Sequence, residues 1–265
     1  MKHLVGSHDL VWIVLDSLRH DVAEAEMQAG RTPNFSRLFP GGWEQRHSPA
    51  SFTYPAHQAF FAGFLPTPAD PHANQERLFA ARFAGSKSAG PSTVVFKGPD
   101  IVSGLAEHGY RTLCIGGVGF FNKKTPLARV LPGYFQESHW SKEMGVTSRE
   151  SAEKQFELAA RRLAEIPREQ RVFVFINLSA IHRPNRFFIP GKADDDLESH
   201  AAALRHVDEK LPLLTHALRA RGPSHVLAFS DHGTLYGEDG YSGHRIGHPA
   251  VYTVPYAATI FPHEA

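Results

Sequence analysis

One cysteine, Cys114, stands in a chain of 265 residues. No disulfide can form within it, so nothing points to an oxidising compartment. Charge of one sign is not in excess either, with 28 Lys and Arg against 27 Asp and Glu. That balance excludes a strongly basic surface for nucleic acid or an anionic membrane. Long apolar runs are missing too. Leu10-Val11-Trp12-Ile13-Val14-Leu15 ends at Asp16, far short of the roughly 20 residues that span a bilayer. The start, Met1-Lys2-His3, lacks the longer apolar core of a secretory signal. These absences lead us to expect a soluble, cytoplasmic protein with neither a membrane nor a nucleic-acid partner. There is no internal repeat and no separating linker, so residues 1–265 read as a single domain.

What is present is a globular rather than a disordered composition, 42% hydrophobic and 21% charged, with one outlier, 17 histidines. Histidine serves as metal ligand, proton carrier or plain surface residue, and position must decide. Along the chain, the run Leu10 to Leu15 reads as a strand buried on both faces, as in a parallel sheet. Asp16 and Ser17 end it and are placed to cap a following helix. Thr32-Pro33-Asn34 opens a further helix with Phe35 and Leu38 as its apolar contacts. Residues 67–91, rich in Pro, Ala and Gly, read as a long excursion or mobile loop. A helix from about Asp100 to His108 precedes the strand Arg111 to Ile115. Gly116-Gly117-Val118-Gly119 then makes a plain turn, because it lacks the spacing of a phosphate loop. A helix follows over Ser148 to Ile166, capped by Ser148 or Thr147, then a strand over Arg171 to Leu178. The last pair is a helix over Leu197 to Arg221 and a strand over Val226 to Phe229. This alternation predicts a layered α/β fold, a mostly parallel central sheet with helices on both faces.

Two of these strands end in acidic residues: Asp16 after the first, Asp231-His232 after the last. In open α/β sheets, ligands bind at the carboxyl ends of strands. Singly, each acid reads as a helix cap or loop residue. Together, and with His232 beside one of them, they read as a divalent-metal site.

The motifs around these residues resemble those of the alkaline phosphatase superfamily, in its sulfatase-like and phosphodiesterase-like branches. Ser230-Asp231-His232-Gly233, then Gly237-Glu238 and Gly243-His244, is similar to a sulfatase C-terminal signature. Val14-Leu15-Asp16-Ser17-Leu18-Arg19-His20-Asp21 resembles the family's first metal-binding strand and turn. Thr32-Pro33-Asn34, Gly109-Tyr110-Arg111-Thr112 and the segment Leu197 through Val207-Asp208 to Leu218 resemble further family segments, in the family's order. Thr53-Tyr54-Pro55-Ala56-His57 resembles the nucleophile segment. Thr53 stands two residues before Pro55 and ten before Gly63, with Pro66 beyond.

The resemblance implies an alkaline-phosphatase-like three-layer sandwich with Asp16, Thr53, Asp231 and His232 around a divalent metal. It implies Thr53 as nucleophile, at a helix start where it also reads as an N-cap. A metal lowers the pKa of such a hydroxyl and orients it. Sulfatases of this group use a formylglycine made from Cys or Ser, which threonine cannot give. The expected activity is therefore hydrolysis of a phosphodiester, phosphomonoester or phosphonate of small-molecule size. The alternatives are a phosphoryl-group transferase on the same fold, or a non-catalytic metal- or ligand-binding member. Retained Thr53 argues against the last, and the missing membrane segment argues against the transferase.

His182 and His244 are expected as catalytic residues. With His248, they are also the alternatives for a second metal site. Two-metal relatives carry an Asp where this chain has Leu178, with Asn177 one residue off, so one tightly held metal is expected. A site of oxygen donors with histidine favours Zn or Mn over Ca. His57 reads as a structural or supporting residue. Lys97, Asn122, Lys123 and Arg183 are possible anion binders, although such groups are mostly solvated. His3, His72, His139, His200, His206, His216 and His263 read as surface residues.

Overall fold

The computed structural model describes residues 2–63, the strands Arg77–Phe79 and Thr93–Val95, and residues 100–261. Pro66, His72, Lys97, His263 and, apart from Arg77–Phe79, the stretch 67–91 lie outside the described residues. The chain forms β1 (Asp9–Leu15), α1 (His20–Gln28), α2 (Pro33–Leu38), β2 (Glu44–His47) and α3 (Thr53–Ala62). Next come β3 (Arg77–Phe79), β4 (Thr93–Val95), α4 (Ile101–Glu107), β5 (Arg111–Ile115) and β6 (Glu137–His139). The C-terminal half holds α5 (Ser151–Glu165), β7 (Val172–Leu178), α6 (Leu197–Arg221), β8 (Ser224–Phe229), β9 (Leu235–Tyr236), β10 (Ser242–Gly243), α7 (Pro249–Tyr252) and β11 (Thr253–Phe261).

Among the described residues the central sheet has seven strands in the order β2-β11-β8-β1-β7-β5-β6. Strands β8, β1, β7, β5 and β6 pair in parallel, while β11 runs antiparallel to β8 and to β2. Every residue of β1, β7 and β8 is buried, which is why these strands read as continuous apolar runs. Alternate side chains enter two cores. Val11, Ile13 and Leu15 pack with Phe156, Leu204 and Leu211 on the side of α5 and α6. Leu10, Trp12 and Val14 pack with Tyr54, Phe61 and Leu105 on the side of α3 and α4. Helices cover both faces, giving the three layers expected.

Several sequence motifs turn out to be fastenings. Asp208 on α6 accepts from the backbone N–H of Phe35 (2.7 Å) and Asn34 (3.2 Å), so it caps α2 across the fold. Pro33 at the first turn leaves no further donor there. This joins Thr32-Pro33-Asn34 to the Asp208 motif. Asp16 and Ser17 do not cap α1, contrary to expectation; its cap position is Arg19, with no side-chain cap. Likewise α5 starts after Glu150 without a side-chain cap, so neither Ser148 nor Thr147 serves. His200, expected on the surface, is fully buried.

Strands β2, β6 and β11 escape the apolar pattern. β2 is Glu-Gln-Arg-His with all four residues exposed, an edge held by backbone pairing and blunted by charge. β11 contains Pro255, which lies beyond the paired end of β8 and so withholds no ladder bond there.

Candidate metal centre

Strands β8 and β1 are neighbours, so residues just past their carboxyl ends meet. Asp16 follows β1, and Asp231 and His232 follow β8. All three are fully buried. Each offers a donor atom within 4.8 Å of the others, a group that could hold a metal ion. His232 Nε2 lies 3.6 Å from Asp231 Oδ2 and 3.9 Å from Asp16 Oδ1. Its Nδ1 donates to the Gly233 carbonyl at 2.9 Å. That fixes the tautomer and leaves the Nε2 lone pair for a cation.

The turn after β1 is strained to achieve this. Ser17 has φ 69°, the left-handed region that a serine adopts only at a cost. In return its N–H donates to Asp231 Oδ1 (3.2 Å) and its hydroxyl to Asp16 Oδ1 (3.0 Å). Asn177, near the end of β7, donates to Asp16 Oδ2 at 3.0 Å and accepts from the Val118 N–H at 3.0 Å. Leu178 belongs instead to the core beneath α5 and α6. The residue of β7 that faces the acids is thus Asn177, a neutral donor. Gly117 lies so close to β7 that a Cβ there would meet the Asn177 carbonyl oxygen at 2.4 Å. That contact accounts for the glycine-rich turn.

Thr53 is the first residue of α3, and Phe52 holds the cap position. The N-cap role expected of Thr53 is therefore not its own. Its hydroxyl lies 3.4 Å from Asp16 Oδ2 and 3.4 Å from His232 Nε2. His57, one turn on, donates from Nδ1 to the Thr53 carbonyl at 2.7 Å, with the same nitrogen 3.7 Å from Asp231 Oδ2. The rings of Phe60, Phe121 and Phe175 surround it at 5.5 Å. Burial pushes its imidazole down to about 4, so it stays neutral and braces the helix start.

The electrostatics suit a cation at this place. Burial first, then the charge of Asp16, pushes the Asp231 carboxyl well above its ordinary value. Asp231 Oδ2 is buried and has no hydrogen-bond partner. Burial opposes ionisation of Asp16 too, but His182, His232 and Asn177 outweigh it and hold its carboxyl below the usual value. Burial lowers His232, keeping it neutral as a ligand must be. Two carboxylates, a neutral imidazole and a hydroxyl are a donor set for a divalent ion.

The histidines expected around this core divide. The His244 ring lies 4.4 Å from that of His232 and 5.5 Å from that of His182. Burial, then His232 and His182, pushes His244 down to about 4. His182 uses Nδ1 on the Arg183 carbonyl at 2.6 Å, leaving Nε2 free. His248 is committed elsewhere. Its Nδ1 caps α7 by accepting from the Ala250 N–H (3.0 Å), and Nε2 meets Asp239 (3.2 Å). Lys123 bonds Ser138, and Arg183 bonds Ser242 and stacks on Tyr236, away from the acids. Asn122 lines the cavity beside Thr53, as does Arg245, which the sequence reading missed.

A second set of motif residues ties together the two loops that carry Asp16 and Asp231. The buried Arg19 guanidinium bonds Asp21 (2.5 Å) and Glu238. His200 accepts from the Arg19 N–H (3.4 Å) and its Nδ1 meets the Tyr236 hydroxyl (3.0 Å). Gly233 must be glycine, since a Cβ would meet the Ala250 carbonyl oxygen at 1.9 Å and Arg19 Cγ at 3.2 Å. With a single imidazole and two carboxylates gathered, metal analysis should find one stoichiometric ion per chain. Two tightly held ions would mean that His182 and His244 recruit a further donor.

No protein-family model matches the chain, and no curated protein matches it. Solved structures do. The C-terminal periplasmic domain of EptC from Escherichia coli superposes with TM-score 0.65 at 17% identity, over 97% of this chain and 73% of that one. That domain is also known in complex with Zn. The integral membrane lipooligosaccharide phosphoethanolamine transferase A from Neisseria meningitidis matches with TM-score 0.59 at 14% identity, over 96% of this chain and 47% of that one. A protein of the alkaline phosphatase superfamily from Vibrio parahaemolyticus gives TM-score 0.58 at 16% identity, over 96% and 60%. These neighbours overturn the expectation of a cytoplasmic protein, and they withdraw support from the absence of a membrane partner. A lone cysteine was weak ground for the compartment, because a core of this size needs no disulfide anywhere. No helix among the described residues is long and apolar enough to cross a membrane. At these identities the likeness concerns architecture, and in architecture this chain has the fold of the alkaline phosphatase superfamily.

Proposed function

We propose that this chain, residues 1–265 acting as one domain, transfers a phosphoryl-type group through Thr53. A divalent cation, zinc or manganese, would be held by Asp16, Asp231, His232 and the Thr53 hydroxyl. The observation that carries this reading is Thr53 Oγ1 itself, 3.4 Å from both Asp16 Oδ2 and His232 Nε2 at a helix start. A cation held there would supply Lewis acidity at the Thr53 hydroxyl and at the phosphorus oxygens, and Thr53 gives up its proton to solvent as it attacks. The first turn of α3 adds backbone N–H groups that favour an anion at the same place.

Thr53 Oγ1 bonds to phosphorus as the bond from phosphorus to the leaving oxygen breaks. His182, its Nδ1 held on the Arg183 carbonyl, acts as the imidazolium and gives that oxygen its Nε2 proton. His244, kept neutral by burial, is suited to donate a hydrogen bond to a non-bridging oxygen. In the second half, an acceptor hydroxyl attacks the phosphothreonine and returns a proton to His182, while the bond from phosphorus to Thr53 Oγ1 breaks and that oxygen regains its proton from solvent. Water in the acceptor's place gives the hydrolase that the motifs alone suggest. The neighbours named as transferases support an alcohol acceptor instead. Retained Thr53 in the cluster weighs against a merely metal-binding role.

The test uses a p-nitrophenyl phosphodiester with the zinc- or manganese-loaded protein, with and without glycerol or a sugar. Phosphorus NMR then gives the partition of product between alcohol and water. Transfer to the alcohol beyond its mole ratio supports the transferase. Free acid as sole product restores hydrolysis, and no p-nitrophenol release removes both.

A further inference from the structure

Beside Thr53 lies a cavity of about 330 Å³ whose two kinds of lining differ sharply. One is cationic or proton-bearing: His182, His244 and Arg245. The other is apolar: Val118, Phe120, Leu127, Ala128 and Val146. Asn122 and Thr125 are uncharged polar members of the same lining. Among the described residues no aspartate or glutamate lines it.

Arg245 is anchored there. Its backbone takes φ 73°, its N–H donates to the Ser51 carbonyl (2.9 Å), and its guanidinium lies 4.8 Å over the Phe52 ring. It makes no ion pair among the described residues. A phosphorus-bound oxygen entering this cavity therefore finds a positive charge, and whatever else phosphorus carries finds hydrocarbon. An ammonium placed there would lose water and face Arg245, with no carboxylate in the lining among the described residues to offset either cost. A neutral group of the same shape would lose nothing comparable.

We infer that the group carried on phosphorus by this chain's substrate bears no ammonium, and is instead an uncharged alkyl, aryl or hydroxylated group. This rests on the phosphoryl-transfer reading above and narrows it. It also separates the chain from those fold neighbours that are named for phosphoethanolamine, an ammonium-bearing group. Discrimination here comes from what the cavity withholds as much as from what it offers.

Propylphosphonate and 2-aminoethylphosphonate test this directly, because they differ only by methyl against ammonium at one end. Their binding to the metal-loaded protein is measured by calorimetry, independent of turnover. Propylphosphonate should bind about tenfold tighter or more. Thr125→Asp adds a carboxylate to the lining. It also keeps an acceptor for the Ala128 N–H, which Thr125 now satisfies at 3.2 Å. This variant should erase or invert the preference. Equal or tighter binding of 2-aminoethylphosphonate to the unaltered protein would overturn the inference and leave Thr53 chemistry standing, since that is read separately from p-nitrophenol release. A preference unmoved by Thr125→Asp, or no binding of either phosphonate, would also overturn it, because the cavity would then not be where the group sits.

Discussion

Thr53→Ala is expected to stop turnover while leaving the fold nearly untouched. On the phosphoryl-transfer reading this hydroxyl is the attacking group, and residues acting as one catalytic unit fail together. The loss should be on the order of 10⁴-fold or more in kcat. Stability should barely move. Thr53 makes no capping bond, because Phe52 holds that position, and alanine is the better helix former. What disappears are two long contacts of 3.4 Å to Asp16 and His232. The change in unfolding free energy should stay below the ~1 kcal/mol typical of a lost cap. Thr53→Ser keeps a hydroxyl and should retain part of the activity. Thr53→Cys should not yield a sulfatase, since formylglycine formation needs separate machinery. Turnover close to that of the unaltered protein in Thr53→Ala, with Tm unchanged, would show that water or another side chain attacks directly. The covalent route would then be abandoned even with the metal site intact.

Asp231→Asn should abolish metal binding yet raise the stability of the metal-free protein at neutral pH. Asp231 is fully buried. Its Oδ1 accepts from the N–H groups of Ser17 and His232, while Oδ2 has no partner. Because its carboxyl is raised well above the ordinary 3.8, the folded state holds a proton that the unfolded chain has given up. The stability linked to this group is full below pH 3.8 and is lost as pH rises through the folded pKa. Asparagine carries no such cost and keeps the Oδ1 acceptor. The advantage of Asp231→Asn in EDTA should therefore grow from about pH 4 upward until the folded pKa is reached. Asp16 works the other way: its lowered carboxyl adds stability above 3.8 that is lost on acidification, and this persists in the variant. Added zinc reverses the ranking. At 100 times its Kd an ion contributes about 2.7 kcal/mol to the unaltered protein and nothing to the variant. A lower Tm for Asp231→Asn in EDTA at pH 7, or zinc retained at full stoichiometry, would contradict this account of the site.

The residues that ended the strands were readable from order alone. β1 from Leu10, β7 up to Ile176 and β8 from Val226 are continuous apolar runs, so burial on both faces is written into composition. α6 was bounded by the same means, its start at Leu197 and its end at Arg221 falling where the pattern changes. The meeting of Asp16, Asp231 and His232 was anticipated too, because an acid after an apolar strand is out of keeping with the run before it. Thr53 came from its motif rather than from any local pattern. Strands β2 and β11 were not readable. An edge strand is held by backbone hydrogen bonds, to which side-chain periodicity is blind, and Pro255 argues locally against a strand that tertiary pairing tolerates.

By itself, then, the order of residues determined which segments are buried, which faces of them are apolar, and which acids stand at strand ends. Only the tertiary structure decided that β8 lies beside β1, bringing Asp231 to the turn that carries Asp16, where the Ser17 N–H reaches it across 214 positions of chain. It alone gave Asn177 rather than Leu178 to the site, spent His248 on capping α7, and aligned Arg19, His200 and Glu238 into a tie between the two loops. The reason is physical. Burial is a property each residue contributes locally, with a period visible along the chain. A coordination site depends on side-chain directions within a few ångströms among distant segments, and those are set by strand order and by strained turns such as Ser17, which leave no period in the sequence.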